Sequence, residues 1–291
     1  MDSNKIFCQL IKSFRRLEKE EKTENKKRKA TDIKLNFPVV LVHGIVAHDK
    51  KNKANFWGRI PEILTRKGVQ VFFGNTNAWG DYESNAKILK ETIDKILSDT
   101  KKEKVNIIAH SKGGLDSRYL IWKYNFGDKI ASLTTICTPH HGSEIADLIH
   151  KQTMNHTKTS LKALELYGKL TRNISPGLHY VNFQLTTINM KEFNEKVIMD
   201  TRVYYQSFYT TIKNRFDDIL FSHTYRYIKK IIGTNDGLVS VYSTWWGDNI
   251  AKIESGISHR EILDIKKRRI SGKNIPGIYI NIVKNLSEKG F

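Results

Sequence analysis

The sequence predicts an α/β fold: a mostly parallel sheet with helices on both faces. Three observations carry this. Short apolar runs alternate with amphipathic stretches of helical period through the first half of the chain. The run Val105-Asn106-Ile107-Ile108 leads through Ala109-His110 into Ser111-Lys112-Gly113-Gly114, a sharp turn opening a helical stretch. A carboxylate on a turn and a histidine in a late loop then follow that serine in chain order.

The elements read as follows. Residues 1–35 form a polar, charged extension in which Ile6, Leu10, Phe14 and Leu17 fall at helical spacing between Lys5, Lys12, Arg15 and Arg16. That layout suits a helix lying on an anionic membrane, and equally a helix docked on the body of the protein or a frayed tail. Residues 36–291 form one sizeable domain, long enough to bury a large core at 39% hydrophobic content. Within it Val39–Val42, Val69–Phe73, Val105–Ala109 and Leu133–Ile136 read as parallel strands. Trp57–Lys67, Ser84–Ser98 and Leu115–Tyr124 read as the helices between them, with Leu89, Ile93, Ile96 and Leu97 on one face of the second. From about residue 143 to 200 the alternation stops, and an insert with helical pieces such as Thr159–Leu170 takes its place.

A serine hydroxyl is a weak nucleophile and must stand clear of the backbone to meet a base and a carbonyl together. A strand-turn-helix with Ser111 at its apex provides that position, and the small Ala109 and Gly113 let strand and helix pass closely. Asp236, in Asn235-Asp236-Gly237, and His259, in Ser258-His259-Arg260-Glu261, complete an ordered set. His259 would take the proton of Ser111, and Asp236 would hold the imidazole tautomer. Upstream, Phe37–Ile45 reads as a buried strand running into a glycine turn. Its Ile45 amide and the Lys112 amide are the expected oxyanion donors, with Lys112 needed for its backbone alone. His43 reads as a brace for that loop.

At this point the chain resembles the bacterial triacylglycerol lipases, within the α/β-hydrolase superfamily. The resemblance rests on Pro38–Gly44, Val105–Gly114, Thr138–Ser143, Leu185–Asn194 and Gly233–Val239, which keep the family's order. It implies that Ser111, Asp236 and His259 are the triad, that Ile45 and Lys112 are the oxyanion donors, and that His140 is structural. It implies a lid within 143–200, with Leu148, Ile149, Leu161, Leu164, Leu166 and Leu170 as candidate groove-lining or packing residues. It also implies a structural calcium tying down the histidine loop through Glu261 and Asp217 or Asp218. The chemistry itself requires no cofactor.

Composition excludes several other classes. The formal charge is +19, but lysines are scattered and mixed with acids along Lys19–Lys29, and no nucleic-acid-binding signature is present. Lys266-Lys267-Arg268-Arg269 reads as an exposed charged patch, and a positive field favours anionic lipid surfaces. No run approaches the roughly 18 apolar residues of a membrane span, and Ile6–Ile11 is too short and interrupted for a secretory core. The expected location is therefore cytoplasmic or peripheral on a membrane, with an extracellular one as the alternative. The two cysteines, Cys8 and Cys137, support no disulfide, and no zinc spacing occurs. The reading is a serine hydrolase acting on lipid or other carboxylic esters, most simply acylglycerols. A short-chain esterase or an acyltransferase would use the same residues, and a non-catalytic basic surface-binding protein is the reading from another class.

Overall fold

The computed structural model describes residues 32–45, 56–154 and 177–291. The expected helix over 159–170, the leucines Leu161, Leu164, Leu166 and Leu170, and the extension before residue 32 lie outside the described residues.

Six strands form one parallel sheet: β1 Val39–Val42, β2 Val71–Phe73, β3 Val105–His110, β4 Ile130–Ile136, β5 Tyr204–Thr211 and β6 Ile250–Ser255. Their order is β2-β1-β3-β4-β5-β6. The central strands β1, β3 and β4 are buried on both faces, which explains their continuous apolar runs. Alternate residues serve opposite faces. Val40, Val42, Ile107 and Leu133 pack with Leu89 and Ile93 of helix α2 (Tyr82–Thr100). Val39, Leu41, Ile108 and Ile136 pack with Ile60 and Leu64 of α1 (Ile60–Arg66) and Tyr279 and Ile282 of α8 (Ile275–Glu288).

Local chemistry fixes the boundaries. The Asp81 side chain caps α2 by accepting from the Ser84 amide at 2.6 Å, and left-handed Lys101 ends the helix. The helix after Ser111, α3, begins at Lys112 and runs to Lys123. It starts three residues earlier than the apolar pattern suggests, because the turn itself supplies its first residues. The helix expected from Trp57 starts at Ile60, after a turn in which Trp57 is fully buried, and Pro61 then sits in its first turn. β2 starts at Val71 because the Val69 amide closes the end of α1 on the Leu64 carbonyl instead.

The described part of the insert contains α4 (Glu144–Met154), α5 (Gly177–Gln184) and α6 (Thr187–Lys196). Ile145 and Ile149 of α4 pack on Ile228 of α7 (Ser222–Ile231). Buried Arg118 of α3 ties the end of the insert to the body. It donates to the Val197 carbonyl at 3.2 Å and to His140 Nδ1 at 3.1 Å, and its guanidinium lies 4.2 Å from the Trp246 ring centre and 4.9 Å from that of Phe193. Burial pushes that guanidinium down to about 9. The sheet reverses direction of growth between β1 and β3, so the loops leaving these two strands open a crevice at their C-terminal ends.

Candidate active site

Ser111 stands in that crevice. It carries φ of +53° and ψ of −130°, a strained conformation for a residue with a side chain. Its backbone is held on both sides. The amide donates to the Ile136 carbonyl at 2.9 Å, and the carbonyl accepts from Gly114 N at 3.1 Å and Thr138 Oγ1 at 2.7 Å. A Cβ on Gly113 would lie 2.5 Å from the His43 carbonyl oxygen and 2.6 Å from that of Val42, so only glycine lets α3 pass β1 this closely. Gly44 is equally constrained, because a Cβ there would meet the Ser111 Cβ at 2.8 Å.

The three candidate catalytic residues come together. His259 Nε2 lies 3.0 Å from Ser111 Oγ, and His259 Nδ1 lies 2.8 Å from Asp236 Oδ2. Asp236 Oδ1 accepts from the Leu238 amide at 2.9 Å and the Val239 amide at 2.8 Å. The His259 amide in turn donates to the Asp236 carbonyl at 2.9 Å. Asp236 and His259 are thus locked to each other by backbone as well as side chain. Ile45 follows Gly44 beside Ser111 and lines the same pocket. As the first residue of α3, Lys112 has an amide with no acceptor in the helix ladder. The arrangement can remove a proton from a hydroxyl and hold it while a bond forms to oxygen.

The pocket over Ser111 measures about 530 Å³. Ile145, Ala146 and Leu185 wall it from the insert, and Phe221, Leu238 and Leu263 from the acid and histidine side. Ile149 packs on α7, which leaves Leu148 half-buried beside it.

Several contacts were not foreseen. His110, the residue before Ser111, donates from Nε2 to the His259 carbonyl at 2.9 Å, with ring centres 4.7 Å apart. Burial, and then the neighbouring His259, push its pKa well below the usual 6.5, so it is a neutral brace. Cys137 takes left-handed φ of +52° beside Asp236, and burial followed by the Asp236 charge pushes its thiol well up. His43 and His140 both contact neighbouring segments. A His43 ring nitrogen lies 3.1 Å from the Thr76 carbonyl, and His140 Nε2 lies 3.0 Å from Thr135 Oγ1.

The Lys112 side chain is more than a passenger. It is 2% exposed and its ammonium lies 2.5 Å from Asp116 Oδ1, while Asn85 Nδ2 donates to Asp116 Oδ2 at 2.9 Å. Burial pushes the Asp116 carboxyl up, and Lys112 pulls the other way. Asn85 Oδ1 accepts from the Asn77 amide, so the network joins α3 to the loop after β2. Lys112→Met is expected to lower stability by about 3–5 kcal/mol, because it strands a buried carboxylate. Lys112→Met with Asp116→Leu should recover much of that loss. Denaturant midpoints check both, and a Lys112→Met protein as stable as the wild type would show the pair to be unimportant.

The carboxylates expected to hold calcium do not fit it as they stand. Asp218 accepts from Arg260 Nε at 2.7 Å, Arg260 Nη2 at 2.8 Å and Ser258 Oγ at 2.7 Å. Burial opposes the charge, but Arg260 and Ser258 hold this carboxyl below its ordinary range. Glu261 accepts from Lys266 Nζ at 2.5 Å and from the Ser258 amide at 3.1 Å. Asp217 closes a turn, accepting from the Lys213 amide at 2.6 Å. A calcium ion wanting six or more oxygens would have to displace both Arg260 and Lys266. We therefore expect the same unfolding midpoint in chelator and in calcium, and a loss of roughly 1–3 kcal/mol in Arg260→Gln, which leaves Asp218 half-satisfied. A midpoint that rises with calcium would restore the metal to the histidine loop.

Comparison with known proteins agrees with this architecture. The family model of palmitoyl protein thioesterase matches residues 38–207, a span that holds Ser111 but ends before Asp236 and His259. Triacylglycerol lipase 2 of Saccharomyces cerevisiae is 30% identical over 255 residues, covering 81% of this chain and 74% of the yeast protein. A triacylglycerol lipase of Vibrio cholerae is 36% identical over 113 residues, which span 39% of this chain and 36% of that lipase. Among solved structures, a mature Bacillus licheniformis lipase superposes with a TM-score of 0.65 at 20% identity, covering 84% of this chain and 91% of that one. The chain thus belongs to the α/β-hydrolase family that the palmitoyl protein thioesterase model describes and that links it to triacylglycerol lipases, and it is a lipid ester hydrolase.

Proposed function

We propose that the chain hydrolyses acylglycerols through Ser111, His259 and Asp236 by way of an acyl-enzyme. The observation that carries the reading is the unbroken line of contacts from Ser111 Oγ to His259 Nε2 (3.0 Å) and from His259 Nδ1 to Asp236 Oδ2 (2.8 Å), beneath a largely apolar pocket.

In this reading Ser111 Oγ attacks the ester carbonyl carbon as its proton passes to His259 Nε2. The carbonyl oxygen takes the negative charge and meets the Ile45 and Lys112 amides. The intermediate collapses, the alcohol leaves with the proton from His259, and the acyl group stays on Ser111. Water then repeats the sequence, giving its proton to His259 and releasing the acid. Asp236 holds Nδ1 protonated throughout, so that Nε2 faces the serine as an acceptor. Each bond made or broken is served by a group of this chain. The apolar walls from Ile145, Leu185 and Leu238 favour an acyl chain over a polar substituent.

A fluorophosphonate probe tests the nucleophile, with a single adduct expected on Ser111. A chain-length series of p-nitrophenyl esters tests the substrate class. Highest kcat/KM on medium or long acyl chains supports the lipase reading, and a steady decline beyond acetate would favour the short-chain esterase.

A further inference from the structure

We propose that the rim of this pocket is a docking face for anionic phospholipid bilayers, formed by residues 213–220 and 265–269. The inference rests on the ester-hydrolase reading of the pocket and names the surface at which that pocket works.

The rim is apolar where burial would be expected. Phe216 is 70% exposed, Ile219 79%, Leu220 38% and Ile265 43%. Leu220 and Ile265 also line the pocket above Ser111, so the exposed apolar surface is continuous with the pocket wall. Exposed large apolar groups gathered at a pocket mouth mark an interaction site, whereas single ones are ordinary. The two segments are joined from below, because Asp218 is bound to Arg260 and lies within the field of Lys266.

Charge identifies the occupant. Ile265 is followed by the exposed run Lys266-Lys267-Arg268-Arg269, and the Arg215 guanidinium lies 4.6 Å from the Phe216 ring centre. The acids of the rim are already engaged: Asp218 by Arg260, Glu261 by Lys266 and Asp217 by its own turn. Among the described residues no carboxylate forms an ion pair with Arg215, Lys267 or Arg268. Apolar side chains flanked by unneutralised cations match a bilayer with anionic headgroups, where the former enter the acyl boundary and the latter meet phosphate. A neutral oil surface would gain nothing from the cations. Docked in this way, the face presents the pocket mouth to the lipid without any change in the catalytic residues.

The test is sedimentation of the full-length chain with vesicles of phosphatidylcholine alone and of phosphatidylcholine mixed with phosphatidylglycerol. Ser111→Ala protein serves as host, so that turnover does not alter the vesicles. We expect binding to the anionic vesicles and little to the neutral ones. Lys267→Glu with Arg268→Glu, and separately Phe216→Asp with Ile219→Asp, should each weaken it by about tenfold or more. In the active protein both double variants should keep wild-type kcat/KM on a soluble short ester. Equal binding of variants and host would overturn the proposal and move the contact elsewhere, including to residues 1–31. Equal binding to neutral and anionic vesicles would also overturn it. So would self-association of the host that the same substitutions abolish without lipid, because the face would then be a contact between copies of the chain. Soluble-ester hydrolysis separates these results from a failure of the hydrolase reading, since that activity needs no vesicle.

Discussion

Ser111→Ala is expected to leave the fold and unfolding midpoint near wild type while lowering kcat on a soluble ester by about a thousandfold or more. The structural half follows from how the turn is held. The strained backbone of Ser111 is fixed by the Ile136 carbonyl, the Gly114 amide and the Thr138 hydroxyl, none of which touches the side chain being removed. The hydroxyl itself bonds His259 Nε2, so alanine removes the attacking atom and little else. The residual rate should come from the pocket and the Ile45 and Lys112 amides acting on bound ester and water. KM for the soluble ester should stay close to wild type, because the apolar walls of the pocket are unchanged. Steady-state kinetics on homogeneous protein, with circular dichroism to verify folding, checks both halves. Hydrolysis retained at a wild-type rate would remove Ser111 from the mechanism.

Much of the site could be read from sequence because its parts are local. A buried strand, a serine at its end and glycines just beyond are neighbours in the chain, and the same spacing that suggests the turn requires Gly113 to pass β1. Asp236 sits in a turn that Asn235 builds by accepting from the Gly237 amide, and such turn chemistry is visible in any sequence. Strands β5 and β6 were not visible. β5 reads Tyr-Tyr-Gln-Ser-Phe-Tyr-Thr-Thr, and its polar residues are buried because Gln206 donates to Thr134 and Ser207 meets Thr135 across the sheet. Hydrophobic periodicity has no means of reporting a polar pair satisfied 72 residues away. The same limit hid the His110 bond to His259 and the burial of the Lys112 side chain. It also bears on the expected calcium, since acids at suitable spacing look like ligands until Arg260 and Lys266 are seen beside them.

Asp236→Asn and His259→Ala should each lower turnover by on the order of 10³–10⁴, and the double variant should be little worse than the worse single one. The asparagine case can be followed atom by atom. The Leu238 and Val239 amides both point at Oδ1 of residue 236, and only an oxygen can accept them. An asparagine must therefore keep its oxygen there and turn its NH2 group toward His259 Nδ1, which Asp236 Oδ2 faces at 2.8 Å. Two donors cannot share a hydrogen bond, so Nδ1 must become the acceptor and the ring proton must move to Nε2. That nitrogen lies 3.0 Å from Ser111 Oγ and would then donate to the serine instead of removing its proton. His259→Ala removes the base itself. Because either change alone stops proton transfer, adding the other has little left to remove. Asp248, an exposed acid downstream of Asp236, gives the control, and Asp248→Asn should turn over normally. A normally active Asp236→Asn beside an inactive Asp248→Asn would transfer the role to the other acid, and strictly additive losses in the double variant would mean that Asp236 and His259 do not act as one unit.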